Sequence, residues 1–148
     1  MPVYADNKQA KFNYEILETL EAGLVLLGHE VKSIRTGHAG LKGAFVTFHG
    51  DEAYLTNAHI SPYRHARVAA GYDPEHSRKL LLRKKQIDYL RGKAQEQGLT
   101  IIPLSIYTRG PRIKVEVAVA RGKKKYDKRA TIRKREQERE IQRKIKEL

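Results

Sequence analysis

Polar and apolar positions alternate with a period near two over much of the first 120 residues. In the clearest case Ile113, Val115, Val117 and Val119 alternate with Lys114, Glu116 and Ala118. That spacing predicts a strand with one buried face and one face, bearing Lys114, turned outward. Leu99 to Tyr107 predicts its partner across Thr108-Arg-Gly-Pro-Arg112. Phe45 to Phe48 and Ala53 to Thr56 flank His49-Gly-Asp-Glu52, whose Gly-Asp pair suits a hairpin turn. Tyr14 to Leu20 and Leu24 to Leu27 read as extended segments that meet around Gly23.

A helical period appears twice. Glu30 to Thr36 sets Leu27, Val31 and Ile34 on one side and stops at Gly37; Arg83 to Gln97 does the same with Ile87, Leu90 and Ala94 and stops at Gly98. Asp73-Pro74 suits a helix or turn opening. About six short strands with a helix or two predict a mainly β domain, a closed or partly open barrel of the oligonucleotide-binding (OB) type. Beyond Thr131 there is no Gly or Pro, and helix formers dominate.

Charge divides the chain. Of 148 residues, 30 are Lys or Arg and 17 Asp or Glu, a net of +13. Residues 1–120 hold 17 basic and 12 acidic side chains, a net of +5; residues 121–148 hold 13 and 5, a net of +8. The reading is a body, 1–120, and a basic tail, 121–148. In the tail Arg135–Arg139 and Arg139–Arg143 repel at helical spacing, and only Ile141, Ile145 and Leu148 mark an apolar side. Such a segment is expected to be disordered when free and helical against a polyanion. Charge of this size points to nucleic acid. The longest apolar run, Ala22 to Leu27, is far short of the ~20 residues of a membrane helix, and the N-terminus lacks a secretory apolar region. A cytoplasmic protein without a membrane partner is expected.

Catalytic signals are weak. With no cysteine, thiolate zinc sites and cysteine nucleophiles are excluded. His29, His38, His49, His59, His65 and His76 form no recognised motif, the glycines no phosphate loop, and neither a metal nor a cofactor is expected. The basic clusters say more. In Arg78-Lys-Leu-Leu-Leu-Arg-Lys-Lys85, Leu80 and Leu82 read as core, whereas Arg78, Lys79 and Lys84 read as phosphate ligands. Tyr14, Tyr63 and Tyr126 are the candidate stacking aromatics, Tyr14 equally a core residue. Tyr126 sits in Gly122-Lys-Lys-Lys-Tyr-Asp-Lys-Arg129, where one ring among cations suits stacking on a base as well as generic solvation.

An ordered set of segments resembles the SsrA-binding protein (small protein B) family. It comprises Asn7-Lys8 with Ala10-Lys11 and Tyr14, Glu21-Ala-Gly-Leu24, Gly28 with Glu30-Val-Lys-Ser33 and Arg35, Asn57 with His59-Ile-Ser-Pro-Tyr63, Arg78-Lys-Leu-Leu-Leu82, and Gly122-Lys-Lys through Asp127-Lys-Arg129. The resemblance implies an OB-like barrel, and a non-enzymatic adaptor that carries transfer-messenger RNA to stalled ribosomes in trans-translation. It implies that the barrel grips the tRNA-like domain while the tail enters the decoding centre, made of small-subunit ribosomal RNA, and the empty message channel. Elongation factor Tu and alanyl-tRNA synthetase act on the same RNA. Glu21 and Leu81 match positions that matter for RNA binding, with Asn7, Lys8, Ala22, Gly23, Arg35, Asn57, Lys79 and Lys114 as neighbours. Lys123, Lys124, Tyr126, Asp127, Lys128 and Arg129 match the tail segment required on the ribosome. Gln9 and Phe12 depart from the family's usual basic residue and histidine. A carboxylate such as Glu21 at an RNA surface makes sense as an acceptor for base amino groups or as the fixer of a nearby cation. The competing readings are a generic RNA chaperone and a small RNA-processing enzyme.

Overall fold

The computed structural model describes residues 2–123 and, beyond them, residues 133, 135–137, 139–141 and 143, each of which is helical. In chain order the elements are β1 (Val3–Asp6), α1 (Lys8–Asn13), β2 (Tyr14–Leu24), α2 (Gly28–Arg35), β3 (Ala39–Gly40), β4 (Phe45–His49) and β5 (Glu52–Thr56). There follow β6 (His59–Ile60), β7 (Arg78–Leu81), α3 (Lys84–Gln95), β8 (Leu99–Arg109) and β9 (Arg112–Gly122).

The β8–β9 hairpin is the spine. Its turn is only Gly110-Pro111, because Arg109 pairs with Arg112. Gly110, at φ 60°, takes the first central position, where a type II′ turn needs positive φ; Pro111 cannot adopt positive φ, which excludes type I′. Gly50 plays the same part between His49 and Glu52. The turn is thus tighter than the five residues expected, and the shift fixes the register: Tyr107 opposite Lys114, Ile106 opposite Val115.

Seven antiparallel strands join in the order β1-β8-β9-β2-β7-β5-β4, with β3–β6 a separate short pair. β4 approaches β8, yet no ladder joins them among the described residues, so the mainly β sheet is curled but not closed. Of the two forms expected, this is the open one. The concave side holds Ile113, Val115, Val117 and Val119 with Ala22, Leu24, Ala53, Leu55 and Leu80, capped by Ile34 from α2 and by Ile87 and Leu90 from α3.

Three local expectations change. β2 is one unbroken strand through Gly23, which pairs with Lys114 on one side and Leu81 on the other. α2 and α3 each have a carboxylate or amide reaching back to their start: Glu30 accepts from the Leu27 N–H at 2.8 Å and Gln86 from the Arg83 N–H at 2.9 Å. α2 therefore begins two residues before the expected Glu30. The convex face of β9 faces outward at Lys114 and Glu116 but is covered further along, where Ala118 and Ala120 pack with Ala10, Ile102 and Leu104 under α1. Asp73-Pro74 opens a turn: the Glu75 N–H donates to the Asp73 carboxylate at 2.9 Å.

Candidate nucleic-acid interface

Because side chains on paired strands share a face, the register aligns Tyr107, Lys114, Gly23 and Leu81 in one row across β8, β9, β2 and β7. On the same outer face Glu21 lies two residues from Gly23 to one side of this row and Lys79 two residues from Leu81 to the other, with Tyr54 opposite Lys79. Leu81 is 55% exposed although apolar. It lies over Gly23, where a Cβ would come within 3.0 Å of the Leu81 Cβ. Beside this row runs a groove of about 320 Å³, from Leu81 and Gly23 past Lys114 to Pro111 and Arg112. The Arg35 guanidinium closes one rim by donating to the Pro111 carbonyl at 3.1 Å.

Two acids on this face, Glu21 and Glu52, are each clamped between a tyrosine and a cation. Glu21 Oε2 accepts from the Tyr107 hydroxyl at 2.5 Å and from Arg109 Nε at 3.0 Å. The Tyr107 bond, with Arg109 and Lys114, outweighs desolvation and holds the Glu21 carboxyl below its ordinary value. Burial and the same bond push the Tyr107 phenol upward. Across the face Glu52 accepts from the Tyr54 hydroxyl and pairs with Lys79 Nζ at 2.9 Å, and these two contacts lower its carboxyl as well. The acids thus stay ionised and neutralised, and each fixes a cation at the surface. Of the two roles expected for Glu21, holding a cation is the one the geometry exhibits.

The structure therefore gathers Gly23, Leu81 and Lys114 at one groove, with Arg35 at its Pro111 rim, Glu21 two residues from Gly23 on β2 and Lys79 two residues from Leu81 on β7. Ala22 turns into the core, leaving only its backbone near this face. Asn57 stands exposed beyond the end of β5 in a left-handed conformation, φ 64°, which Asn tolerates better than most residues. Lys8 is exposed at the start of α1. Asn7 is a correction. It is buried, its Nδ2 donates to the Pro103 carbonyl at 2.9 Å, and its Oδ1 caps α1 at the Ala10 N–H, 3.2 Å. Its amide holds α1 on β8.

Arg78 is a second correction. It is 1% exposed, and its guanidinium binds Glu30 Oε2 (2.6 Å) and the carbonyls of Ala58 (2.7 Å) and Pro74 (2.8 Å). A phosphate cannot reach it. Burial alone would raise the Glu30 carboxyl; bonds from Leu27, Arg78 and Tyr72 prevail and hold it low. Burial and Glu30 push the Tyr72 phenol up to about 12. Tyr14 packs against the small core under α1. Lys123 is described, its N–H donating to the Asn13 carbonyl at 2.9 Å, whereas Lys124, Tyr126, Asp127, Lys128 and Arg129 lie outside the described residues. No group of three or more metal-ligating side chains occurs among the described residues.

Sequence reading missed Tyr107, Arg109 and Tyr54. The signal for the first two was the turn: Gly110-Pro111 as a two-residue loop places Tyr107 opposite Lys114.

A twisted antiparallel sheet whose open face carries fixed cations around an apolar strip is the build of a small basic protein that receives a polyanion. The chain belongs to the SmpB family, whose model matches residues 4–147. It is 48% identical over 145 residues to the SsrA-binding protein of Trichodesmium erythraeum, covering 98% of this chain and 93% of that one. Identity to the SsrA-binding protein of Chloroflexus aggregans is 46% over 144 residues, covering 97% and 91%. Among solved structures it is similar to a chain described under "tmRNA-SmpB: a journey to the center of the bacterial ribosome". That likeness has a TM-score of 0.69 at 45% identity and covers 81% of this chain and 84% of that one.

Proposed function

We propose that this protein is an RNA-binding adaptor of trans-translation: it binds the tRNA-like domain of transfer-messenger RNA and delivers that RNA to stalled ribosomes. The observation that carries the reading is the 45% identity and shared fold with a chain from a tmRNA–SmpB assembly. The groove supports it. Lys114, Arg112 and Arg35 supply cations around Leu81, and the clamped Glu21 keeps Arg109 in place. Phosphate contacts there set affinity, while the apolar strip and Gly23 backbone read shape.

The body, 1–120, is the RNA-recognising part in this reading. The tail, 121–148, enters the decoding centre and empty message channel through Lys123, Lys124, Tyr126, Asp127, Lys128 and Arg129. In this reading it binds there as a helix, the form its described residues from Arg133 onward already take. Elongation factor Tu and alanyl-tRNA synthetase serve the same RNA. The protein performs no chemistry of its own and works in the cytoplasm; no described helix is long and apolar enough to cross a membrane.

A gel shift with the tRNA-like domain of transfer-messenger RNA and with ordinary tRNA, at about 150 mM salt, tests the reading, since nonspecific electrostatic binding fades there. Preference for transfer-messenger RNA is expected. Equal affinity would instead favour the generic chaperone.

A further inference from the structure

The segment between β6 and β7 is pinned at both ends. The Ser33 hydroxyl donates to the Ser61 carbonyl (2.5 Å) and the Ser61 N–H to the His38 carbonyl (3.1 Å). At the far end Tyr72 enters the buried Glu30–Arg78 cluster, where its hydroxyl lies 2.8 Å from Glu30 and 3.1 Å from Arg78. Between the pins the segment bows out and encloses, with the end of α2, a cleft of about 650 Å³ lined by Thr36, His38, Ser61, Tyr63, Arg64 and His65. That size lies within the range of about 300–1,000 Å³ that holds small ligands.

The chemistry of the cleft is aromatic and cationic. Lys32 Nζ stands over the Tyr63 ring at 5.8 Å from its centroid, and His65 meets that ring edge-on at 5.5 Å. No carboxylate lines the cleft among the described residues; the nearby Glu75 faces His59 at 3.6 Å. Lys32 is also one turn of α2 from Arg35, which borders the groove at Pro111. The cleft and the groove therefore share the exposed edge of α2.

We infer that this cleft is a separate site for one unpaired RNA nucleotide, whose base stacks on Tyr63 while its phosphate rests on Lys32 and Arg64. A flat ring with cations beside it and no competing acid suits a base and its phosphate, and stacking tolerates any base. The nucleotide comes from the transfer-messenger RNA or from ribosomal RNA. The inference rests on the RNA-adaptor reading but adds a site outside the groove.

The chain has no tryptophan, so Tyr63→Trp places a single indole in the cleft of the full-length protein. Its fluorescence is expected to be quenched at saturation with the tRNA-like domain alone, or on adding ribosomes; the first outcome assigns the nucleotide to the transfer-messenger RNA, the second to ribosomal RNA. Tyr63→Ala should weaken binding to the quenching RNA about tenfold, while Tyr63→Phe retains it. Lys32→Ala should lower the salt dependence by about one phosphate contact. An indole indifferent to both RNAs, with Tyr63→Ala natively folded by circular dichroism and binding as tightly as the parent, overturns the inference. Quenching by polyglutamate and by neither RNA also overturns it, in favour of an acidic peptide. Loss of RNA preference in the unaltered chain would count against the adaptor reading instead, and ribosomal RNA quenching would still decide the cleft.

Discussion

The Tyr107 hydroxyl reaches over β9 to donate to Glu21 Oε2 at 2.5 Å, joining β8 to β2, two strands that share no ladder. Since that bond is the largest influence lowering the Glu21 carboxyl, Tyr107→Phe should raise its pKa toward the ordinary 4.5. A carboxyl-detected NMR titration reads the shift. RNA affinity should fall as well, because Glu21, still paired with Arg109 but no longer fixed by the Tyr107 bond, positions that cation less well. If Glu21 acts through Arg109, the losses from Glu21→Ala and Arg109→Ala are not additive, and the double variant binds about as well as the weaker single one.

Neighbours in sequence have opposite duties at Arg78 and Lys79. Arg78→Ala leaves Glu30 buried without its counter-charge and should cost about 3–5 kcal/mol in urea unfolding. Lys79 is surface-exposed and pairs with Glu52 at 2.9 Å. Lys79→Ala should change stability by less than ~1 kcal/mol yet reduce the slope of log affinity against log salt by about 0.7–0.9. A reversed pattern would mean that the outer face of β7 is not the RNA face.

The Glu30 cluster also contributes to the acid sensitivity of the fold. Its carboxyl is held below the ordinary 4.5, so the unfolded chain binds the proton first. The resulting stability is fully present above 4.5 and is lost as pH falls through the depressed folded value. Urea midpoints measured from about pH 6 down to about pH 3 should decline over that window. Glu30→Gln, less stable throughout, should show a shallower decline.

Strands whose alternation is complete, as in β9, were legible from residue order alone, and so were the apolar sides of α2 and α3. The six residues of α1 were not, because one buried alanine in Lys-Gln-Ala-Lys-Phe-Asn is too little to display a helical period. Arg78 and Lys79 illustrate the limit for sites. Both are cations in a basic run, and only the strand's alternation, with Glu30 waiting 48 residues away, sends one inward. Glu21 was found through family resemblance, whereas its partners Tyr107 and Arg109 needed the hairpin register.

Gly23 allows β7 to approach β2 at the centre of the groove. Gly23→Ala puts a methyl 3.0 Å from the Leu81 Cβ, a rigid atom, so either β7 shifts or the ladder strains. The cost should be about 1–3 kcal/mol in unfolding free energy. RNA affinity should fall too, since Leu81 rides on that ladder. Unchanged stability and affinity would show that the sheet yields there without consequence.

The end of β9 decides where the tail can be removed cleanly. Arg121 pairs with Glu15 and Leu99, Gly122 with Tyr14, and the Lys123 N–H bonds Asn13. A cut after residue 120 therefore removes sheet as well as tail, and loss of RNA binding in that variant would say nothing about the tail. Deleting residues 124–148 keeps every described pairing of β9. That variant should retain the parent's unfolding midpoint within about 1 kcal/mol, because no core residue is lost. It should still select the tRNA-like domain at about 150 mM salt, though with a shallower salt dependence, since 11 of the chain's 30 Lys and Arg are gone. Tagging of nascent chains on stalled ribosomes should cease. Tagging that persists would remove the tail from the mechanism, and lost selectivity would move RNA recognition from the sheet face to the tail.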